Sequence, residues 1–378
     1  MTAPANGGRI AYGAAGVDYD TLDAGKRDAL TEALATSAAL LAAPGGRAID
    51  ASRGEPAFVF EVAGATLAIV LECLGTKSII ARLVEDELGA AAFSAVAYDT
   101  VAAIVNDLCC VGALPLVVNA YFATGSSQWY QRPARLQGLL EGWRRACADA
   151  GATWGGGESP SLTGLVADDE IELAGSAVGI VPSGRAPLLG RELAAGDEIV
   201  LVASSGLHAN GASLARKVAE SAPDGYRTRL GSGATLGEAL LTPSVIYVGL
   251  VRALLSGDVP VHYLSHITGH GLLKLMRPQA ELSYVIERLP PVPEVLSFLV
   301  ARTEMEPAEA YATFNMGCGF AVYCAEGTGD HVVELATGLG LAAQLAGRVR
   351  AGERRVVLEE LGVAYDSGAL DLAPRRRG

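Results

Sequence analysis

Glu198-Ile199-Val200-Leu201-Val202-Ala203 runs directly into Ser204-Ser205-Gly206-Leu207-His208-Ala209-Asn210-Gly211, and Leu214 and Val218 follow on one helical face. An apolar β-type run, a polar glycine-bearing loop and an amphipathic stretch read as strand, loop and helix. A loop in that position is a common place for a ligand. On either side the pattern repeats. Toward the N-terminus, 57–62 and 66–72 are expected strands, 92–111 a buried helix stopped by Gly112 and Pro115, and 116–121 a strand. An amphipathic helix over 134–150 ending at Gly151 and a strand over 170–181 complete that half. Toward the C-terminus the pattern predicts a helix over about 236–256, strands near 261–264, 282–287 and 319–324, and a second glycine-rich loop at 268–271. This alternation means α/β or α+β. Pro182-Ser183-Gly184-Arg185-Ala186-Pro187 places a domain boundary near residue 183, giving units of 1–183 and 184–378.

The composition fits two compact domains in 378 residues. Half the residues are hydrophobic and 19% are charged, which excludes disorder as the dominant state. The formal charge of −13 repels nucleic-acid phosphates and anionic lipid headgroups, so neither partner is expected. A local basic pocket for a small anion is compatible with that balance. The N-terminal MTAPANGGRI lacks a basic-then-apolar secretory pattern, and no stretch has the unbroken apolar length of a membrane helix. A soluble, cytoplasmic protein is the expectation. The six cysteines form no CxxC pair and read mostly as small buried apolar residues.

Generic nucleotide and hydrolase motifs are absent: there is no GxxxxGK[ST], no strand followed by GxGxxG, no GxSxG and no HExxH. Polar, glycine-containing loops remain. Gly155-Gly156-Gly157 before Glu158 either makes a tight turn or leaves backbone N–H groups free for phosphate. Asn106-Asp107 lies among Ile104, Val105, Leu108, Cys109 and Cys110, where a carboxylate needs a cation or donors; Mg²⁺ is a natural answer. Lys77, after Gly75-Thr76, is either a surface lysine or a phosphate contact. His208 suits proton transfer or phosphate contact, or is a loop histidine satisfied by backbone. Together these groups point to an ATP·Mg²⁺ site.

In order and spacing the loops resemble the PurM type, phosphoribosylformylglycinamidine cyclo-ligase or AIR synthetase, over nearly the whole chain. The resemblance rests on Ala15-Gly16-Val17-Asp18, Leu74-Gly75-Thr76-Lys77, Val105-Asn106-Asp107-Leu108, Gly112-Ala113-Leu114-Pro115, Ala123-Thr124-Gly125, Gly156-Gly157-Glu158, the 204–211 loop, His266-Ile267-Thr268-Gly269 and Thr313-Phe314-Asn315-Met316-Gly317. It implies a two-domain PurM-like fold whose N-terminal domain forms a β-barrel interface in a homodimer. The C-terminal domain would pack a mixed sheet against helices, and the site would lie between the domains. The implied cofactors are ATP and Mg²⁺, the implied partner a small-molecule ribonucleotide, and the implied reaction closure of an imidazole ring in purine biosynthesis.

Carried over residue by residue, the resemblance makes Glu72 and Asp107 metal ligands. Gly75, Thr76, Lys77, Asn106, Gly156, Gly157 and Glu158 become nucleotide contacts; His208, Asn210, His266 and Thr268 become substrate contacts. His208, Lys77 and Asp107 are then the catalytic candidates. Where the family reads DGVGTK, this chain has Glu72-Cys73-Leu74-Gly75-Thr76-Lys77. The upstream glycine-rich segment is Ser52-Arg53-Gly54-Glu55-Pro56-Ala57-Phe58, and Gly269-His270-Gly271 carries a histidine where glycine is usual. These departures suggest a divergent branch with the same ATP chemistry. Selenophosphate synthetases carry a reactive residue in an N-terminal glycine-rich loop, whereas the first cysteine here is Cys73; hydrogenase-maturation relatives need a C-terminal cysteine, whereas this sequence ends Arg-Arg-Arg-Gly. Thiamine-phosphate kinases match these motifs less closely. The alternatives are activation of a different small substrate, or a catalytically silent ATP-binding regulatory dimer.

Overall fold

The computed structural model describes residues 19–257 and 259–370; the Ala15–Asp18 motif and the Arg375-Arg376-Arg377 tail lie outside them. Within that range the first half holds strands β1 (Arg47–Ala48), β2 (Phe58–Val62), β3 (Ala65–Cys73), β4 (Leu114–Thr124), β5 (Thr153–Glu158) and β6 (Ile171–Ile180). They form one sheet in the order β1-β2-β3-β6-β4-β5, antiparallel except for the parallel pair β4/β5. Its helices are α1 (Tyr19–Leu34), α2 (Lys77–Leu83), α3 (Glu85–Leu88), α4 (Ala90–Cys109) and α5 (Pro133–Ala150).

Strand β6 shows why the sheet has one covered face. Ile171, Leu173, Gly175, Ala177 and Gly179 are buried while the residues between them are half-buried, the period of two that a pleated strand imposes. Helix α4 lies inside the protein, and α5 approaches it closely because Gly138 and Gly142 offer no side chain. A Cβ at either glycine would sit 2.1 Å from a carbonyl oxygen of Ala90 or Ser94. Trp143 of α5 packs edge-on against Phe122 of β4, with ring centroids 5.0 Å apart. By length and composition α4 could cross a bilayer, yet 78% of its most apolar window is buried within the protein. It is the core helix.

In the second half, α6 (Ala212–Ser221), α7 (Leu236–Leu240), α8 (Val248–Ser256), α9 (Glu294–Thr303), α10 (Pro307–Thr313) and α11 (Gly329–Gly338) accompany seven strands. These are β7 (Glu198–Ala203), β8 (Val261–His266), β9 (Leu282–Ile286), β10 (Cys318–Cys324), β11 (Ala343–Ala351), β12 (Arg355–Leu358) and β13 (Val363–Asp366). Their order is β13-β12-β9-β11-β7-β10-β8, with β9/β12 parallel and the other pairs antiparallel. Every residue of β10 is buried, as is β7 up to Val202, so central position in the sheet explains their unbroken apolar runs.

Two expectations are corrected. The stretch 236–256 is not one helix: α7 ends at Leu240, and the chain passes through Pro243 before α8 begins at Val248. Proline removes a backbone donor, and the Asn106 side chain supplies competing bonds, donating to Val245 O at 2.8 Å and accepting from Tyr247 N–H at 2.8 Å. The second correction concerns 155–158, which is not a turn. It forms the end of edge strand β5, where a Cβ on Gly157 would meet Ala120 O at 2.1 Å.

Candidate functional site

Where the two sheets meet, a cavity of about 610 Å³ opens between the C-terminal end of β3, one face of α4, the loop after β8 and helix α1. Glu72 comes from β3. Ala103 and Asp107, four residues apart on α4, present one helical face to the same space. His266, the last residue of β8, lies opposite, with Thr268 and Asn210 on the neighbouring loops. Thus Glu72, Asp107, Asn210, His266 and Thr268, dispersed in sequence, share one cleft.

The carboxylates set its chemistry. His266 Nδ1 lies 2.6 Å from Asp107 Oδ1. Burial alone would raise the Asp107 carboxyl, but the His266 hydrogen bond and the nearby charges of His266, Lys274 and Arg277 outweigh it and hold Asp107 below its ordinary range. An ionised Asp107 only accepts, so the imidazole donates from Nδ1. Glu72 behaves oppositely: burial, and then the adjoining Asp107 charge, push it up to about 8. The two groups therefore form a carboxylate pair that retains a proton near neutrality. Two hard oxygen donors, once Glu72 gives up its proton, fit Mg²⁺, which binds through one or two carboxylates and completes its shell with water and phosphate oxygens. No group of three or more His, Cys, Asp or Glu is assembled for a metal among the described residues.

Several predicted contacts lie elsewhere. Lys77 has no face on the cleft: its ammonium is fully buried, 2.5 Å from Asp99 Oδ2 and 2.6 Å from His208 O. Asp99 Oδ1 accepts from Ser244 N–H at 2.7 Å, so this ion pair ties α2 and α4 to loops of the second half. The Thr76 hydroxyl is engaged with Ser213 at 2.7 Å, and Gly75, at φ +70°, makes the turn before α2. Asn106 braces the 241–247 segment. Gly156, Gly157 and Glu158 are exposed on β5. None of these residues lines the cleft.

His208 also turns inward. Its backbone is left-handed at φ +59°, which aims its carbonyl at Lys77, while Nε2 accepts from Ser205 N–H at 3.2 Å and Val245 N–H at 3.4 Å. Nδ1 is buried and has no partner among the described residues. Burial first, then the charges of His266 and Lys77, push its pKa well below the ordinary value. This histidine is neutral when folded and protonates below about pH 6.5 when unfolded, so stability falls as pH drops through that value, by up to ~1.4 kcal/mol per pH unit. His208→Asn keeps a residue type tolerant of φ > 0 and is expected to flatten that slope. Thermal melts at about pH 7.5 and about pH 5.5 measure it; an unchanged slope would place the proton uptake elsewhere.

Sequence reading gave Glu55 no role and missed Lys274 and Arg277. Arg277 Nε donates to Gly54 O at 2.9 Å and lies 4.0 Å from Glu55 Oε2, while Glu55 accepts from Tyr263 OH at 2.6 Å. Lys274 is pulled down to about 8, by burial first and then by Arg277. The available signal was a lysine and an arginine three apart in the otherwise apolar run Leu272-Leu273-Lys274-Leu275-Met276-Arg277. Cys73 is exposed and lines the cleft, unlike the other five cysteines, which are buried.

Two family models match, AIR synthase related protein, N-terminal domain, over residues 54–181 and its C-terminal domain over 194–359. A phosphoribosylformylglycinamidine cyclo-ligase from Sorangium cellulosum (strain So ce56) is 38% identical over 363 residues, spanning 90% of this chain and 95% of its own. Another, from Anaeromyxobacter dehalogenans (strain 2CP-C), is 38% identical over 261 residues, spanning 68% and 74%. Among solved structures, a HypE–HypF complex superposes with TM-score 0.60 at 18% identity, covering 83% of this chain and 92% of that one. AaThiL complexed with AMPPCP and TMP gives 0.55 at 17% identity, covering 82% and 89%. These likenesses identify the two-domain PurM-like fold, and the domain matches together with the curated relatives show that the chain belongs to the AIR synthase related family.

Proposed function

We propose that this enzyme closes the imidazole ring of 5-aminoimidazole ribonucleotide from formylglycinamidine ribonucleotide at the expense of ATP. The observation that carries the reading is the Glu72–Asp107 pair, set in a cleft with His266 and flanking cations, in a chain 38% identical to a cyclo-ligase along nearly its full length. The formyl-amide oxygen takes the terminal phosphoryl group of ATP and ADP leaves. An amidine nitrogen then attacks that carbon, the C–N bond forms, the C–O bond breaks, phosphate departs and the nitrogen loses a proton. Bound Mg²⁺ would neutralise phosphate charge during the transfer. Glu72 and Asp107 would hold it, and the His266 hydrogen bond keeps Asp107 ionised and oriented. Asn210 and Thr268, on the loops bordering the cavity, are placed to orient the ribonucleotide.

We assign the two units to either side of residue 183, a division that the matched segments 54–181 and 194–359 support. A homodimer belongs to the same reading. Ile69 and Leu71 on β3 and Leu116 on β4 are 41%, 73% and 44% exposed on the face of the first sheet away from its core. A second copy of that face would cover them. Leu71→Asp is expected to leave a species of half the mass in light scattering; unchanged mass would remove this face from the interface.

The function is tested by incubating purified protein with ATP, Mg²⁺ and formylglycinamidine ribonucleotide and following phosphate and aminoimidazole together. Equal release of both is expected. ATP binding without turnover would overturn the ring-closing assignment in favour of another small acceptor or a silent regulatory dimer.

A further inference from the structure

We propose that Lys274 and Arg277 form a phosphate-ester subsite on the cleft wall, separate from the Glu72–Asp107 pair, and that they determine which substrates the cleft accepts. The proposal rests on the ring-closing reading only for the identity of the ester.

The charge balance of the cleft departs from that of the protein. Across the chain acids exceed Lys and Arg by 13, from 42 against 29. In the cavity Lys26, Arg27, Lys274 and Arg277 face three carboxylates, Glu55, Glu72 and Asp107. Of these cations, Lys274 and Arg277 have unused donors. Among the described residues the Lys274 ammonium has no hydrogen bond and no ion pair within 4.0 Å, although it lies in the field of Glu72 and Asp107. Arg277 uses only Nε, toward Gly54 O, leaving both terminal nitrogens without a protein acceptor among those residues.

Lys274 and Arg277 repel each other, and the charges of Asp107 and Glu72 offset only part of the burial and repulsion that Lys274 feels. A phosphate ester relieves the repulsion, accepting from the flat guanidinium fork and from the ammonium at once. The backbone already fixes the fork, because Gly54 O holds Nε and the neighbouring Glu55 is held by Tyr263. The carboxylate pair repels a bare phosphate and would take one only through a bound metal, so the cleft would offer a second anion position apart from the two cations. A nucleotide triphosphate and a ribonucleotide monophosphate both supply the required chemistry.

Calorimetry on the full-length protein, without turnover, separates the sources. Ribose 5-phosphate and ADP·Mg²⁺ are titrated into the wild type, Lys274→Met, Arg277→Met and Lys274→Arg, with thermal melts to verify folding. The expected result is a loss of ribose 5-phosphate affinity of roughly ten- to a hundredfold in both methionine variants, the range of a charge-assisted hydrogen bond, with Lys274→Arg near wild type. A loss confined to ADP would assign the subsite to the nucleotide instead. Unchanged affinity for both ligands in folded variants, or no binding of either by the wild type, would overturn the proposal and leave the two cations as counter-charges to Glu72 and Asp107. Because no ring closure is required, failure of the catalytic assignment would leave these binding results standing.

Discussion

Asp107→Asn is expected to lower turnover by about 10²–10³-fold, the usual effect of removing one preorganised electrostatic contact from a transferring phosphoryl group. The substitution is nearly isosteric, and the new amide oxygen can still accept from His266 Nδ1, so folding should be preserved. What disappears is the charge. In the native cleft, burial and Asp107 hold Glu72 up at about 8. Loss of Asp107 releases Glu72 from that repulsion, leaving one carboxylate where a metal would have had two. The half-saturating Mg²⁺ concentration should therefore rise at least about tenfold, in keeping with the loss of one of two charged ligands. A Mg²⁺ titration of phosphate release reads both effects. Wild-type turnover with wild-type Mg²⁺ dependence would remove Asp107 from the metal site.

The second large effect concerns stability. Lys77→Met is expected to cost about 3–5 kcal/mol, because it leaves Asp99 as an unpaired charge with no solvent exposure. The melting temperature should fall by on the order of 10 °C. Removing both charges, in Lys77→Met with Asp99→Leu, should recover part of that loss. Recovery will be incomplete because Ser244 N–H and His208 O lose their partners. The KM for ATP in the folded fraction of Lys77→Met should stay within about twofold of wild type, since Lys77 does not touch the cleft. An unaltered melting temperature with a KM raised tenfold would restore Lys77 as a phosphate contact.

Much of the fold is legible because burial writes a period into the sequence. Glu198–Ala203 reads as a strand and is one, and the regular burial of β6 follows from the same rule. Local reading failed where a distant group overrides it. Pro243 marks the break within 236–256 locally, whereas nothing there announces that Asn106 will hold the backbone at Val245 and Tyr247. The glycines at 155–157 have a local meaning, a turn, that gives way to pairing with β4, more than thirty residues earlier. Site residues followed the same division. Glu72, Asp107 and His266 stand in recognisable motifs and converge on the cleft. Lys77 and His208 stand in motifs just as recognisable, yet each is consumed by partners remote in sequence, Asp99 for one and Val245 for the other. Lys274 and Arg277 escaped notice because their neighbours are apolar and the run resembles core.

In ring closure through a phosphorylated amide, the formyl-amide oxygen becomes an oxygen of the released phosphate. The most direct measurement uses formylglycinamidine ribonucleotide carrying ¹⁸O in its formyl group, with ATP, Mg²⁺ and the purified protein, and mass analysis of the phosphate. Transfer through a phosphorylated amide predicts one ¹⁸O in each phosphate formed and none left in the aminoimidazole. Unlabelled phosphate, with ATP consumed, would contradict the mechanism.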